Sequence, residues 1–221
     1  MCVLGERIRT VVKSFKTALR THFRFKGRRP GGISYPLAAM RRGSRKRGDI
    51  PGVISLADMV CDMDMRTGVE IGTYLGHWAL TWCSRNPQLH LTCIDPYRPY
   101  SARESAETQE AIYQEALVRL EPCNATIVRK ASLDAVNDFE DGSLDFVSID
   151  GDHFFDAVIQ DLICWVPKVR NGGLICVHDY TAAQGPHVIR AVDAYTHCHV
   201  IAPWYATTDC TPTAFWERKA K

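Results

Sequence analysis

From residue 54 to the C-terminus, short apolar runs alternate with amphipathic stretches, and this alternation limits the fold more than any other feature of the chain. Ile54 to Met63 reads as a helix leading into the domain. Thr67 to Gly72 reads as a strand, 75–85 as a helix, Leu89 to Asp95 as a second strand and 104–121 as a second amphipathic helix. Ala125 to Arg129 and Leu144 to Asp150 read as further strands, followed by a helix over 154–168. Gly172 to His178 is a turn into a fifth strand, and a helix over 186–196 with strands at 198–203 and 212–217 completes the pattern. Strands that alternate with helices must run parallel, joined by right-handed crossovers, with helices on both faces. In open sheets of this kind, ligands bind at the carboxyl ends of the strands.

Polar residues gather at those predicted ends: Glu70 and Gly72, Asp95, Asp150, and His178 with Asp179. Acids often end strands merely as turn formers. That explanation accounts for one or two of them; four strand ends carrying acids point instead to a site.

Charge divides the chain near residue 50. Residues 1–48 hold fourteen Lys/Arg and a single acid, Glu6, whereas the remainder holds thirteen bases and twenty-four acids. Residues 3–24 repeat Leu4, Ile8, Val11, Val12, Phe15, Leu19 and Phe23 at helical spacing between basic positions, which predicts a basic amphipathic helix. Arg41 to Gly48 reads as a solvated basic linker. The arm fits several uses: a lid packed on the domain, an anionic membrane surface, a nucleic-acid backbone, or an organelle-targeting segment. It also offers a contact for a homodimer.

No apolar run approaches the roughly 20 residues that cross a bilayer. The nine cysteines are odd in number and scattered, without a C-x-x-C pair, which argues for a reducing compartment and for structural thiols. The expected location is therefore cytoplasmic, with peripheral membrane contact through the arm as a variant. On that reading the acceptor pattern for glycosylation at Asn124-Ala125-Thr126 carries no meaning.

The stretch Val69-Glu70-Ile71-Gly72-Thr73-Tyr74-Leu75-Gly76 resembles the first motif of class I S-adenosylmethionine-dependent methyltransferases. Glycine lets backbone approach a cofactor closely, and a carboxylate suits the cationic amino group of its methionine portion. A dinucleotide site would call for G-x-G-x-x-G; Glu70 stands at the first glycine position, which counts against an NAD-dependent oxidoreductase. Further on, Asp145-Phe146-Val147-Ser148-Ile149-Asp150-Gly151-Asp152-His153 and Asn171-Gly172-Gly173-Leu174-Ile175-Cys176-Val177-His178-Asp179-Tyr180 resemble the metal-dependent O-methyltransferases. That group includes catechol O-methyltransferase and, more similar here, the sugar- and antibiotic-modifying relatives such as macrocin O-methyltransferase.

The resemblance implies a Rossmann-like α/β fold with a mostly parallel seven-stranded sheet over residues 51–221, the arm being a separate extension. It implies S-adenosylmethionine held by Glu70, Gly72, Tyr74, Gly76, Asp95 (at the ribose), Ser132 (at the adenine) and Asp150. It further implies a divalent metal, magnesium by the hardness of the ligands, on Asp150 and Asp179, with the third ligand open between His178 and water. His153 stands where the catechol enzymes place a general base, and Asp152 is the second choice. The expected reaction is O-methylation of a small hydroxylated acceptor: a sugar, glycan or phenol. An RNA-modifying methyltransferase and an inactive methyltransferase-like binding module are the alternatives.

Overall fold

The computed structural model describes residues 23–26, 51–100, 104–183, 185–207 and 209–219. Its elements are β1 (Phe23–Lys26), α1 (Pro51–Asp62), β2 (Thr67–Ile71), α2 (His77–Arg85), β3 (His90–Ile94), α3 (Ala106–Leu120) and β4 (Ala125–Val128). There follow α4 (Ser132–Ala135), β5 (Leu144–Ile149), α5 (Phe155–Trp165), β6 (Val169–Val177), α6 (His187–Cys198), β7 (Trp204–Thr207) and β8 (Ala214–Glu217).

The strands form one sheet in the order β1-β7-β8-β6-β5-β2-β3-β4. β4, β3, β2, β5 and β6 are mutually parallel, and β8 pairs antiparallel with both β6 and β7. The expected mostly parallel sheet of seven is thus present, with β1 added at its edge. The central strands are apolar on both faces because helices cover both. α5 shows how: Val158, Asp161, Leu162 and Trp165 recur at helical spacing and are all buried. One core lies under α5 and α6, with Ile71, Val147, Leu162, Trp165 and Val177; the other lies under α1 and α2, with Leu56, Trp82, Leu91 and Phe146.

Successive strands step outward from β2 through β3 to β4, and the chain then returns to the other side of β2 as β5. The order therefore reverses between β2 and β5, and the crevice above that reversal is where such sheets take ligands.

Three expectations change. The helix drawn over 3–24 does not reach its end, since Phe23 and Arg24 open β1, where Phe-Arg-Phe-Lys alternates at the strand period and pairs antiparallel with β7; residues 3–22 lie outside the described residues. The strand drawn at 198–203 is displaced to Trp204–Thr207. Helix α6 runs on to Cys198, burying Tyr195 and Thr196, and Pro203 cannot donate to a ladder. Finally, the short helix α4 follows β4 unannounced by any long periodic pattern.

Candidate active site

Each strand-end residue is tied to the neighbouring strand. The Gly72 amide donates to Ile94 O (2.8 Å), Asp95 to Val128 O (3.2 Å), Asp150 to Ile71 O (2.8 Å) and His178 to Ile149 O (2.9 Å). These bonds carry the sheet register one residue beyond the strands, so the polar residues emerge side by side at one end.

Gly72 crosses the crevice at φ +85°, and a β-carbon there would stand 2.1 Å from the Asp150 carbonyl oxygen, so only glycine fits. Gly76 precedes α2 at φ +75°. Between them Tyr74 holds φ +47°, a costly conformation for a non-glycine residue. Asp95 stabilises that turn: Oδ2 accepts from the Tyr74 amide (2.9 Å) and Oδ1 from the Tyr97 amide (2.8 Å). The Tyr97 hydroxyl donates in turn to Tyr74 O (3.0 Å). Asp95 thus joins the loops after β2 and β3, although its side chain is nearly inaccessible.

Glu70 is wholly buried, and neither of its oxygens has a hydrogen-bond partner among the described residues. Burial pushes its carboxyl well above the usual range, Asp150 pushes it further, and Thr73 offsets this only in part. A buried acid without a donor is costly; an arriving ammonium group would relieve it.

Across the crevice, Asp150, His153 and Asp179 offer ligand atoms that all lie within 4.8 Å of one another. His153 Nε2 is 3.4 Å from Asp150 Oδ1, and Nδ1 is 3.6 Å from Asp179 Oδ2. His178 Nδ1 lies 3.1 Å from Asp150 Oδ1 and 3.5 Å from Asp179 Oδ1, while its ring packs on Trp78 of α2 at 4.8 Å. Burial lowers the His178 imidazole, but Asp150 and then Asp179 outweigh it, so it is held above its ordinary value. Burial pushes Asp150 up, and His178 and His153 bring it below the ordinary carboxylate value. Asp179 sits at φ +53°, a strain concentrated where β6 ends.

The sequence-derived residues therefore converge around the crevice, with two differences of detail. The Ser132 hydroxyl donates to Asp161 and accepts from the Trp165 indole N–H (2.8 Å), so it faces protein on both sides. Asp152 is exposed and accepts from the Phe154 amide (2.8 Å), ordering the entry to α5. Trp78, on the His178 ring, and Tyr97, beside Asp95, join the site without any motif to mark them. A groove of about 620 Å³ lined by Val166, Pro167, His199 and Trp216 lies at the opposite end of the sheet, away from this chemistry.

A seven-stranded sheet with one reversed strand, a glycine loop over the switch point and an acid closing the next strand define the class I methyltransferase architecture. The chain belongs to the family described as a methyltransferase domain, whose model matches residues 69–180. Among solved structures it is similar to the O-methyltransferase TomG from Streptomyces achromogenes, involved in tomaymycin synthesis and solved with S-adenosylmethionine. That likeness has a TM-score of 0.58 at 16% identity and covers 77% of this chain and 80% of that one. It is also similar to the O-methyltransferase NovP, with a TM-score of 0.58 at 17% identity over 76% of this chain and 78% of that one. A curated relative, y4gI of Sinorhizobium fredii, is 36% identical over 53 residues, 24% of this chain. The match spans only 6% of that relative's length.

Among the described residues no helix is long and apolar enough to cross a membrane, and all eight cysteines there are free.

Proposed function

We propose that this chain transfers the methyl group of S-adenosylmethionine to a hydroxyl oxygen of a small acceptor such as a sugar, glycan or phenol. The observation that carries this reading is the grouping of Asp150, His153 and Asp179 at the ends of adjacent strands, directly across from the Gly72 loop. The O-methyltransferases TomG and NovP share the fold and support the same reading.

In the reaction the sulfonium C–S bond breaks, an O–CH3 bond forms, and the acceptor hydroxyl gives up its proton. Glu70 would face the ammonium end of the cofactor, and Asp95 would accept from its ribose hydroxyls. The Gly72 loop holds the chain between them. His153, set between Asp150 and Asp179, takes the acceptor proton. Positioning supplies much of the rate, because an aligned hydroxyl reacts as an intramolecular group.

The two carboxylates with water would suit a hard divalent cation such as magnesium, whereas ligation by an imidazole would favour a transition metal. Asp150 and Asp179 would hold it, with a histidine nitrogen or water as third partner. Bound there, a cation would lower the pKa of the acceptor hydroxyl.

The test is calorimetric titration with S-adenosylmethionine, with magnesium or with chelator. A screen of hydroxylated sugars and phenols for release of S-adenosylhomocysteine follows. Cofactor binding together with metal-stimulated turnover supports the proposal. Absence of cofactor binding under both conditions would sink it.

A further inference from the structure

The N-terminal arm enters none of the chemistry above, and the register of β1 fixes where it joins the domain. Phe23 pairs with Thr207 of β7, whose amide donates to Thr213 O just before β8. Ala214 pairs in turn with Val177, the last residue of β6. Phe23 therefore stands level with His178, three strand spacings away, or about 14 Å. Residues 1–22 thus join the sheet at the end where the crevice opens, not at the end that holds the apolar groove.

The sequence of that segment has two opposed sides. At 3.6 residues per turn, Leu4, Ile8, Val11, Val12, Phe15 and Leu19 fall within an arc of about 100°. Arg9, Lys13, Lys16 and Arg20 fall within an arc of about 60° on the opposite side. A segment that only follows a phosphate backbone needs the cations but not the apolar side. An apolar side backed by Lys and Arg is the pattern of a helix that lies in a bilayer interface. The domain does not supply the attraction itself, because beyond residue 48 it holds thirteen bases against twenty-four acids.

The described surface adds an independent observation. Its strongly exposed aromatic side chains are Tyr74 (50%), Tyr100 (60%) and Phe154 (67%), and all lie on loops at the crevice end, after β2, β3 and β5. The opposite end exposes Ile163 and Val200 but, among the described residues, no such ring. Aromatic rings are the side chains that settle at headgroup depth in a bilayer.

We propose that residues 3–22 bind an anionic lipid surface with their apolar side inward, and that the crevice end, with Tyr74, Tyr100 and Phe154, faces that surface. On the methyltransferase reading above, on which this one consequence rests, an acceptor hydroxyl then reaches the crevice from the lipid side.

The experiment measures partitioning of the full chain onto vesicles of phosphatidylcholine, with and without phosphatidylserine, by sedimentation. No cofactor is present, so the outcome is independent of the methyltransferase reading. Wild type is expected to bind the phosphatidylserine vesicles and to lose affinity as salt is raised. Lys13→Gln, Lys16→Gln and Arg20→Gln together are expected to weaken binding by about 100-fold, roughly five-fold for each charge. Phe154→Ser is expected to weaken it by about 3- to 10-fold, as for a ring partly withdrawn from water, and Val200→Ser at the opposite end to leave it unchanged. If the triple variant does not fold, the salt dependence and Phe154→Ser decide. Wild type without preference for phosphatidylserine overturns the proposal, and binding of an RNA oligonucleotide in place of those vesicles would assign the arm to nucleic acid. Phe154→Ser binding as wild type does, or Val200→Ser weakening binding equally, overturns the crevice-facing orientation.

Discussion

Strand β5 carries an acid at each end, and the two are treated in opposite ways. Asp145, at the start, is saturated with donors: the amides of Arg66 (2.6 Å) and Thr67 (2.9 Å), the Thr67 hydroxyl (3.1 Å) and Arg170 Nε (2.5 Å). Burial pushes its carboxyl up, but these donors bring it below the ordinary range. At the far end of the sheet, Asp150 shares two imidazoles with Asp179, and neither oxygen of Glu70 beside it has a hydrogen-bond partner among the described residues. Asp145 is spent on the fold, whereas Glu70 is not; Asp95, at the same end as Glu70, already accepts from the Tyr74 and Tyr97 amides. Strained backbone does not follow this division: Tyr74, Tyr97 and Asp179 hold positive φ around the crevice, and Asp64 and Val200 do so at the other end.

This contrast can be broken at several points. The largest effect is expected at Gly72→Ala, where a methyl group would be driven into the Asp150 carbonyl from a left-handed backbone. A loss of about 2–4 kcal/mol in urea unfolding is expected, combining strain and overpacking, together with loss of cofactor binding. Asp95→Ala comes next. It removes the carboxylate proposed to bind the ribose, so cofactor affinity of the folded protein should fall by roughly 10- to 100-fold in calorimetry. A stability cost of about 1–3 kcal/mol should accompany this, from the Tyr74 and Tyr97 amides that lose their acceptor.

Asp145→Ala should cost about 1–3 kcal/mol of stability while the cofactor affinity of the folded fraction stays unchanged. Equal damage to affinity would erase the distinction between the two ends.

The smallest effect sharpens the contrast through pH. Asp145 has a depressed folded pKa, so its contribution to stability is present above the ordinary aspartate value, about 3.9, and is lost as pH falls through its folded value. Glu70 has a raised folded pKa, so its contribution is present below the ordinary glutamate value, about 4.3, and disappears as pH rises through its folded value. Glu70→Gln should therefore stabilise the cofactor-free protein by roughly 1 kcal/mol at neutral to alkaline pH, with no gain near pH 4, and weaken S-adenosylmethionine binding. Thermal melts across pH check both slopes.

Much of this was legible in the sequence, for physical reasons. Parallel strands buried on both faces announce themselves as apolar runs, and the topology rules then put their ends together, so the gathering of Glu70, Asp95, Asp150 and Asp179 at one end of the sheet is readable from the sequence. Strand β1 was hidden because Phe23 also continues the helical spacing of the residues before it, and only pairing with β7 decides between the two patterns. The bond that turns Ser132 toward Asp161 was hidden for a related reason. At helical spacing between Val158 and Trp165, Asp161 looks like an interruption of an apolar face, and its partner Ser132 lies 29 residues away. Trp78 likewise reads as core, and its contact with His178 depends on α2 crossing above the sheet.

The most direct test of the contrast is the thermal shift produced by saturating S-adenosylhomocysteine on wild type, Asp95→Ala and Asp145→Ala, since a ligand that binds only the folded state raises its melting temperature. Wild type and Asp145→Ala are expected to gain the same increment from different starting points, and Asp95→Ala little or none. A full shift in Asp95→Ala, or its loss in Asp145→Ala, would contradict the assignment of binding to one end of the sheet and stability to the other.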